Sequence, residues 1–440
     1  MPDFLLDRWQ DLSPLAQDSI WLLLLLLPAG IAGVFVLWGF RPLALVGALL
    51  WRYRWTNLTF VFLIAISVGI GVGLIAQERG LRKGTARAAE KFDLIVAAPG
   101  SEITMMFAAV YLQPSDVPLL SGEVFDELYN HDQVKLAAPI AFGDSYKDAP
   151  VVGTTSDFAT HLAGRLAGGR LFETSTEAIA GSAVDLSLGD RFVPAHGVGD
   201  TAEADAHEGH ELEIVGKLPP TGSPWDRAIL VPVESVWEVH GLVNGHAPER
   251  SGQLGPPFDP DFFPGTPAIL VHAEELWANY ALRSEFTRDD TMAFFPGAVL
   301  AQLHSLMGDV RQIMSVMAVL TQVLVTAGVL TGLIVLSRLF ARRLALLRAL
   351  GAPARFVFAV VWAYAATLIL VGSLAGLAVG WVAVGIISSV VTARTDILVT
   401  ASLSWPEFHL IAAFVSLTVL LALLPAFMAM SRNIITDLRA

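Results

Sequence analysis

Three histidines and six carboxylates crowd one short stretch of this 440-residue chain, AHGVGDTAEADAHEGHELE, residues 195–213. His196, His207 and His210 are the candidate ligands, with Asp200, Glu203, Asp205, Glu208, Glu211 and Glu213 interleaved. His207 and His210 lie three apart, within reach of one ion if the segment turns helically, and His196 can fold back toward them. Imidazole with carboxylate suits Zn²⁺, and less selectively Ni²⁺ or Cu²⁺. No HExxH or comparably ordered set accompanies them, so the chemistry on offer is ion capture, not metal-assisted hydrolysis. The competing reading is a flexible acidic surface loop with incidental histidines. His240, His246 and His272 stand alone in sequence and read as packing or surface residues. Asp226 and Arg227, beside a rigid turn, read as a local ion pair. Cysteine is absent, which removes thiolate and disulfide chemistry altogether.

A second constellation is RRLALLRALGAPARF, residues 342–356. Leu344, Leu347 and Leu350 repeat at i, i+3 and i+6 and make an apolar helical face that can seat in a partner's groove. Arg342 and Arg348 can pair with acids at that groove's rim. Gly351 ends the helix and Pro353 prevents its continuation. Without further information a membrane-surface helix meeting anionic lipid explains the same residues equally well.

The elements that must position these residues follow from composition. The chain is 54% hydrophobic with a mean hydropathy of +0.59, yet 33 of its 41 acidic and only 11 of its 28 basic residues fall between Glu90 and Asp309. That stretch carries a net −22 and the remainder +9, so a neutral-to-basic membrane part encloses an acidic soluble domain. Five segments reach the roughly 20 apolar residues a membrane helix needs: 20–40, 57–77, 313–337, 357–388 and 408–430. The acidic leader before the first is unlike a signal peptide and implies an uncleaved helix. Arg41, Arg52 and Arg54, then Arg338 to Arg355, then Arg432 and Arg439 share one side if the N-terminus is outside, and the positive-inside rule makes that side cytoplasmic. Arg79, Arg82, Lys83 and Arg87 fall on the outer side and read as a stalk near anionic headgroups. Gly69 and Gly73, and Gly372, Gly376 and Gly380, have the four-residue spacing that lets helix backbones approach. That contact is either internal packing or a subunit interface. Pro425 is expected to kink the last span, and membrane lipid surrounds the whole.

The external domain reads as α+β with a split core. FDLIVAAPGS reads as a strand and turn, ELEIVGKLPPTGSPWDRAILVPVESVWEV as strand, turn over 219–224, strand and then a short helix, and TPAILVHAEE, near 266–275, as another strand. LAGGRLFETSTEAIAGSAVDLSLGDRF alternates turn signals with a helical patch, Met105, Met106 and Phe107 begin a core run, and a return-stalk helix is expected over 286–312. The resulting division is 1–56, an extra membrane helix with a cytoplasmic linker; 57–90, membrane helix and stalk; 91–285, the soluble domain; 286–312, the return stalk; and 313–440, three membrane helices with a cytoplasmic coupling helix over 338–355.

Arg342, Leu344 to Arg348 and Ala349 to Ala352 resemble the signature helix of the MacB/FtsX (type VII) ABC transporter permeases, roughly R-x-E-I-(A/G)-L-L-R-A-L-G-A. FDLIVAAPGS, GGRLF, GDRF and VGKLPPTGSPWDRAILVP resemble the same family's periplasmic core domain. Arg343 stands where the family usually has Glu, and the span at 20–40 exceeds its usual four. The resemblance implies an α-helical membrane protein with an α+β periplasmic domain inserted between membrane helices, in a bacterial inner membrane. It also implies a non-enzymatic subunit, with ATP-Mg held and hydrolysed by a separate ABC ATPase. The chain itself has no GxxxxGK[ST]. Two ATPases imply a second permease copy or a paralogue, and a periplasmic binding or adaptor protein is a further expected partner. Nucleic acid is not. Export, extraction or delivery of an envelope substrate is the function implied, with a metal or metallophore among the candidate substrates. An FtsX-like signalling scaffold and a membrane-anchored metal-binding protein are the alternatives.

Overall fold

A computed structural model describes residues 9, 11–113, 115–197, 210–306, 308–395 and 397–431. In chain order the helices and strands are α1 (Pro14–Leu37), α2 (Leu43–Arg52), α3 (Arg54–Ala89), β1 (Leu94–Ala97), α4 (Glu102–Ala109), α5 (Gly122–Tyr129), β2 (Val134–Tyr146) and β3 (Ala149–Thr154). Then come α6 (Ser156–Ala163), β4 (Gly168–Gly169), β5 (Glu177–Ala180), β6 (Arg191–Phe192), β7 (Ala195–His196), β8 (Leu212–Lys217), β9 (Ile229–Pro232) and α7 (Val233–Val239). The last are β10 (Ala268–Ala273), α8 (Ala278–Glu285), β11 (Met292–Phe294), α9 (Pro296–Leu306), α10 (Gly308–Ala349), α11 (Ala354–Thr395), α12 (Trp405–Leu421) and α13 (Leu423–Met430). Two compact units result, one of residues 1–80, 309–388 and 401–440, the other of 81–308 and 389–400.

The first unit is all helix. Among the described residues four helices are long and apolar enough to cross a membrane, Pro14–Leu37, Arg54–Ala89, Ala354–Thr395 and Trp405–Met430. The expected span at 313–337 lies on α10, whose qualifying apolar stretch is the shorter Val319–Val335. Glycine sets how closely α11 meets α3. A Cβ on Gly372 would fall 2.7 Å from Ile64, on Gly376 2.6 Å from Val68 and on Gly380 2.7 Å from Val72, so the three glycines receive three branched side chains one turn apart. Gly69 sits against Val379 in the same seam, whereas a Cβ on Gly73 would meet nothing within 4 Å. The glycine rows are thus spent on internal packing, and Gly73 is not part of the seam. Pro425 acts one turn upstream of itself. Lacking an N–H for the carbonyl of Leu421, it separates α12 from α13 at Ala422.

The second unit is built on a mixed sheet in the order β11-β1-β10-β2-β3-β9-β5-β8-β4, with β6 on β8 and β7 on β2. Strands β1, β9 and β10 are buried on both faces, which is why they read as unbroken apolar runs, whereas β8 alternates between buried and half-buried residues. Ile95 and Ala97 of β1 enter one core with Met106, Phe158 and Trp225. Leu94 and Val96 enter another with Phe125, Trp237 and Phe286. A third core under the far strands gathers Val151, Ala178, Ile214 and Val231. β2 joins the halves: residues 134–140 pair with β10 and residues 141–146 with β3, with a register shift between Phe142 and Asp144. This is an α+β domain with the split core expected.

Several local expectations are corrected. The patch around TEAIA is not helical; Glu177–Ala180 is a strand between β8 and β9, its alanines filling a thin core where larger side chains would not fit. The return helix does not begin at 286. Phe286 caps α8 and is fully buried, Met292–Phe294 is an edge strand on β1, and helix starts only at Pro296. Nor is 338–355 a helix of its own. α10 runs without a break to Ala349, because Leu, Ala and Arg offer no breaker before Gly351, and α11 starts at Ala354.

Candidate functional site

The elbow between α10 and α11 is closed by Gly351, whose φ of +102° lies in the region that favours glycine. Ala352 N–H donates to the Leu347 carbonyl and Gly351 N–H to the Arg348 carbonyl, both at 3.0 Å, which is the Schellman pairing. Pro353 follows and the chain reverses. The leucines divide differently from the expected face. Leu344 is 6% exposed and belongs to the membrane unit's own core, and Leu347 packs against that core. Leu346 is 49% exposed and Leu350 83%. With exposed Arg342 they make a stripe at four-residue spacing, so Arg342, Leu346 and Leu350 form the outward face while Leu344 and Leu347 hold the helix down. The i, i+3, i+6 reading missed this because a 42-residue helix curves onto its neighbours with a phase that local spacing does not give.

Two further arginines of the elbow, Arg343 and Arg348, contact the same unit. Arg343 lies 5.8 Å from the centre of the Tyr53 ring and donates to its hydroxyl at 3.2 Å. Arg348 Nη1 donates to the Met430 carbonyl at 3.3 Å. These contacts bring together the segment between α2 and α3, the elbow and the end of α13. The first two basic segments and Met430 thus meet within the helical unit, while Arg432 and Arg439 lie outside the described residues.

At the other end of α3 the structure corrects the role of Arg79. Its guanidinium faces Glu407 of α12, Nη1 at 3.0 Å from Oε1 and Nη2 at 3.2 Å from Oε2, and Nη2 also donates to the Ser402 carbonyl at 2.6 Å. Glu407 is fully buried and its Oε2 accepts the Ser404 N–H at 2.8 Å in a capping box. An ion pair with a buried carboxylate, not a lipid headgroup, explains this arginine.

The histidine loop resolves unexpectedly. His207 lies outside the described residues, and His210 is exposed just ahead of β8. His196 instead joins Asp144 and His240, two residues the local spacing gave no reason to associate. Asp144 follows the β2 bulge, which re-aims its side chain. β7 pairs His196 directly with Asp144, and His240 is the C-cap of α7. His196 Nδ1 is 2.9 Å from Asp144 Oδ1, His240 Nε2 is 3.6 Å from the same oxygen, and the two ring nitrogens are 3.4 Å apart. The Asp144 side chain is 2% exposed while those of His196 and His240 are 51% and 28% exposed. His246 is buried, facing buried Glu234 at 3.6 Å. His272 pairs with Asp93 and its ring lies 4.9 Å from that of His161, tilted by 50°; burial lowers the pKa of His161 below the usual histidine value. Asp226 serves its own turn, accepting from Thr221 N at 2.7 Å and from Thr221 Oγ1 and Gly222 N at 2.8 Å.

No known family's sequence profile matches the chain, and no curated protein is similar to it in sequence. Solved structures are. One is the periplasmic region of MacB from Actinobacillus actinomycetemcomitans, 9% identical, with a TM-score of 0.32 over 50% of this chain and 95% of that one. Another is the extracellular domain of the noncanonic ABC-type transporter YknZ from Gram-positive bacteria, 13% identical, with a TM-score of 0.28 over 46% of this chain and 98% of that one. These structural neighbours are external domains of ABC-type transporters. Both scores are low, and what the chain does rests on its own residues.

Proposed function

We propose that the chain is the membrane subunit of a MacB/FtsX-like ABC transport system, in which a separate ATPase grips the elbow and its movement is carried to the external unit. The observation behind this is the Arg342–Leu346–Leu350 stripe. A leucine that is 83% exposed at the tip of a capped reversal, on the basic face, is a poor element of a folded monomer and a good anchor for a partner's groove. α3 and α11 support the mechanical part, since each is a single helix that contributes residues to both compact units and so offers a continuous path for movement. Transport would then move an envelope substrate by force on the external domain, with ATP-Mg held by the ATPase. Two ATPases would call for two permease subunits.

The test is copurification with the ATPase from the same source. Leu350→Asp and Arg342→Glu change exposed side chains, so folding should be unaffected within about 0.5 kcal/mol, while loss of a central anchor should weaken docking at least tenfold, about 1.4 kcal/mol. If both variants retain the ATPase as the unmodified chain does, the elbow is not the docking element. If the elbow instead binds anionic vesicles in a salt-sensitive way and captures no ATPase, it is a lipid-surface helix.

A further inference from the structure

The geometry points to a site for one divalent transition-metal ion, of the class Zn²⁺ represents, formed by Asp144, His196 and His240 on the external unit. This differs in composition from a site in the 198–210 loop, and it stands whether or not the chain docks an ATPase. Three observations carry it. The first is the tautomer of His240. Its Nδ1 lies 2.6 Å from the Val236 carbonyl, which can only accept, so Nδ1 carries the proton and Nε2 presents its lone pair toward Asp144 and His196. A ring nitrogen fixed by a backbone carbonyl is the usual outer support of a metal-bound histidine. The second is the size of the triangle. Ligands about 2.05 Å from a tetrahedral ion are separated by roughly 3.3 Å, and the three donor separations here are 2.9, 3.4 and 3.6 Å. The third is the mixed burial. The Asp144 side chain is 2% exposed at the base, and the His196 and His240 side chains above it are 51% and 28% exposed, so the donor set is graded from buried to accessible.

Each ligand comes from a different element: Asp144 from the β2 bulge, His196 from β7 and His240 from the end of α7. An ion there would fasten β7, the strand that leads into residues 197–210, to the body of the domain. Among the described residues the site has three protein ligands, one fewer than the four of a tetrahedral structural zinc site.

The experiment uses the full chain purified in detergent, stripped with chelator and titrated calorimetrically with ZnCl₂. One equivalent should bind, and His240→Ala and His196→Ala should each lower the affinity at least tenfold. His207→Ala combined with His210→Ala should leave it unchanged. Co²⁺ loading of the unmodified chain gives a readout independent of any variant's folding, with visible absorption of low-symmetry nitrogen and oxygen coordination and no thiolate band. Absence of stoichiometric Zn²⁺ binding, or binding that survives His240→Ala and disappears in the loop double variant, overturns the assignment. In the first outcome the triangle is held by a proton between His196 and Asp144, and in the second the metal belongs to the loop.

Discussion

Replacing Arg79 by leucine tests the tertiary reading most directly. The Glu407 carboxylate is fully buried, faces two guanidinium nitrogens at 3.0 and 3.2 Å, and otherwise accepts from Ser404 N at 2.8 Å. Arg79→Leu would strand that charge, and breaking a buried pair from one side costs about 3–5 kcal/mol. Glu407→Gln should cost less, about 1–3 kcal/mol, because the Arg79 side chain is 16% exposed and can reach water. The double variant removes the stranded charge and should recover most of the loss. The assay is a double-mutant cycle on denaturant unfolding of the detergent-purified chain, with a coupling of at least about 2 kcal/mol expected. An exposed pair would give only about 0.2–1 kcal/mol. If Arg79→Leu costs under about 1 kcal/mol, or if the double variant is no better than it, the carboxylate is not buried against this arginine. Dependence on anionic lipid without dependence on residue 407 would restore the headgroup reading.

Gly376→Leu should overpack the α3–α11 seam and cost about 1–3 kcal/mol in a thermal scan, since even a Cβ there falls 2.6 Å from Val68, whereas Gly73→Ala should be nearly silent. In the external unit, Arg170 holds the Glu177 carboxyl down at about 2 through paired hydrogen bonds. A depressed carboxyl contributes stability above its unfolded pKa and loses it as pH falls through the folded one. The difference in melting temperature between the unmodified chain and Arg170→Gln should therefore be full above about pH 5 and shrink toward pH 2; a difference independent of pH would refute the pairing. Because Arg170 is half exposed, solvent screening keeps the contribution small.

Much of the architecture was legible because the signals are local. β1, β8, β9, β10 and α7 lie where runs of branched and apolar residues meet Pro/Gly punctuation. Glu177–Ala180 was misread because alanine favours helix by propensity, and only its place between two strands makes it extended. His240 was passed over for a related reason. Its partners lie 44 and 96 positions earlier in the chain, and no spacing rule reaches that far.

The sequence by itself determined where the long apolar segments lie, how the charges divide along the chain, and that the elbow ends at Gly351. Hydropathy, net charge and a glycine's φ are properties of residues and near neighbours, so they survive without a fold. Only the tertiary structure decided which leucines of the elbow face out, that Arg79 answers Glu407, and that His196 meets Asp144 and His240. Those depend on sheet register and helix phase, where a shift of one residue would turn each side chain to another face.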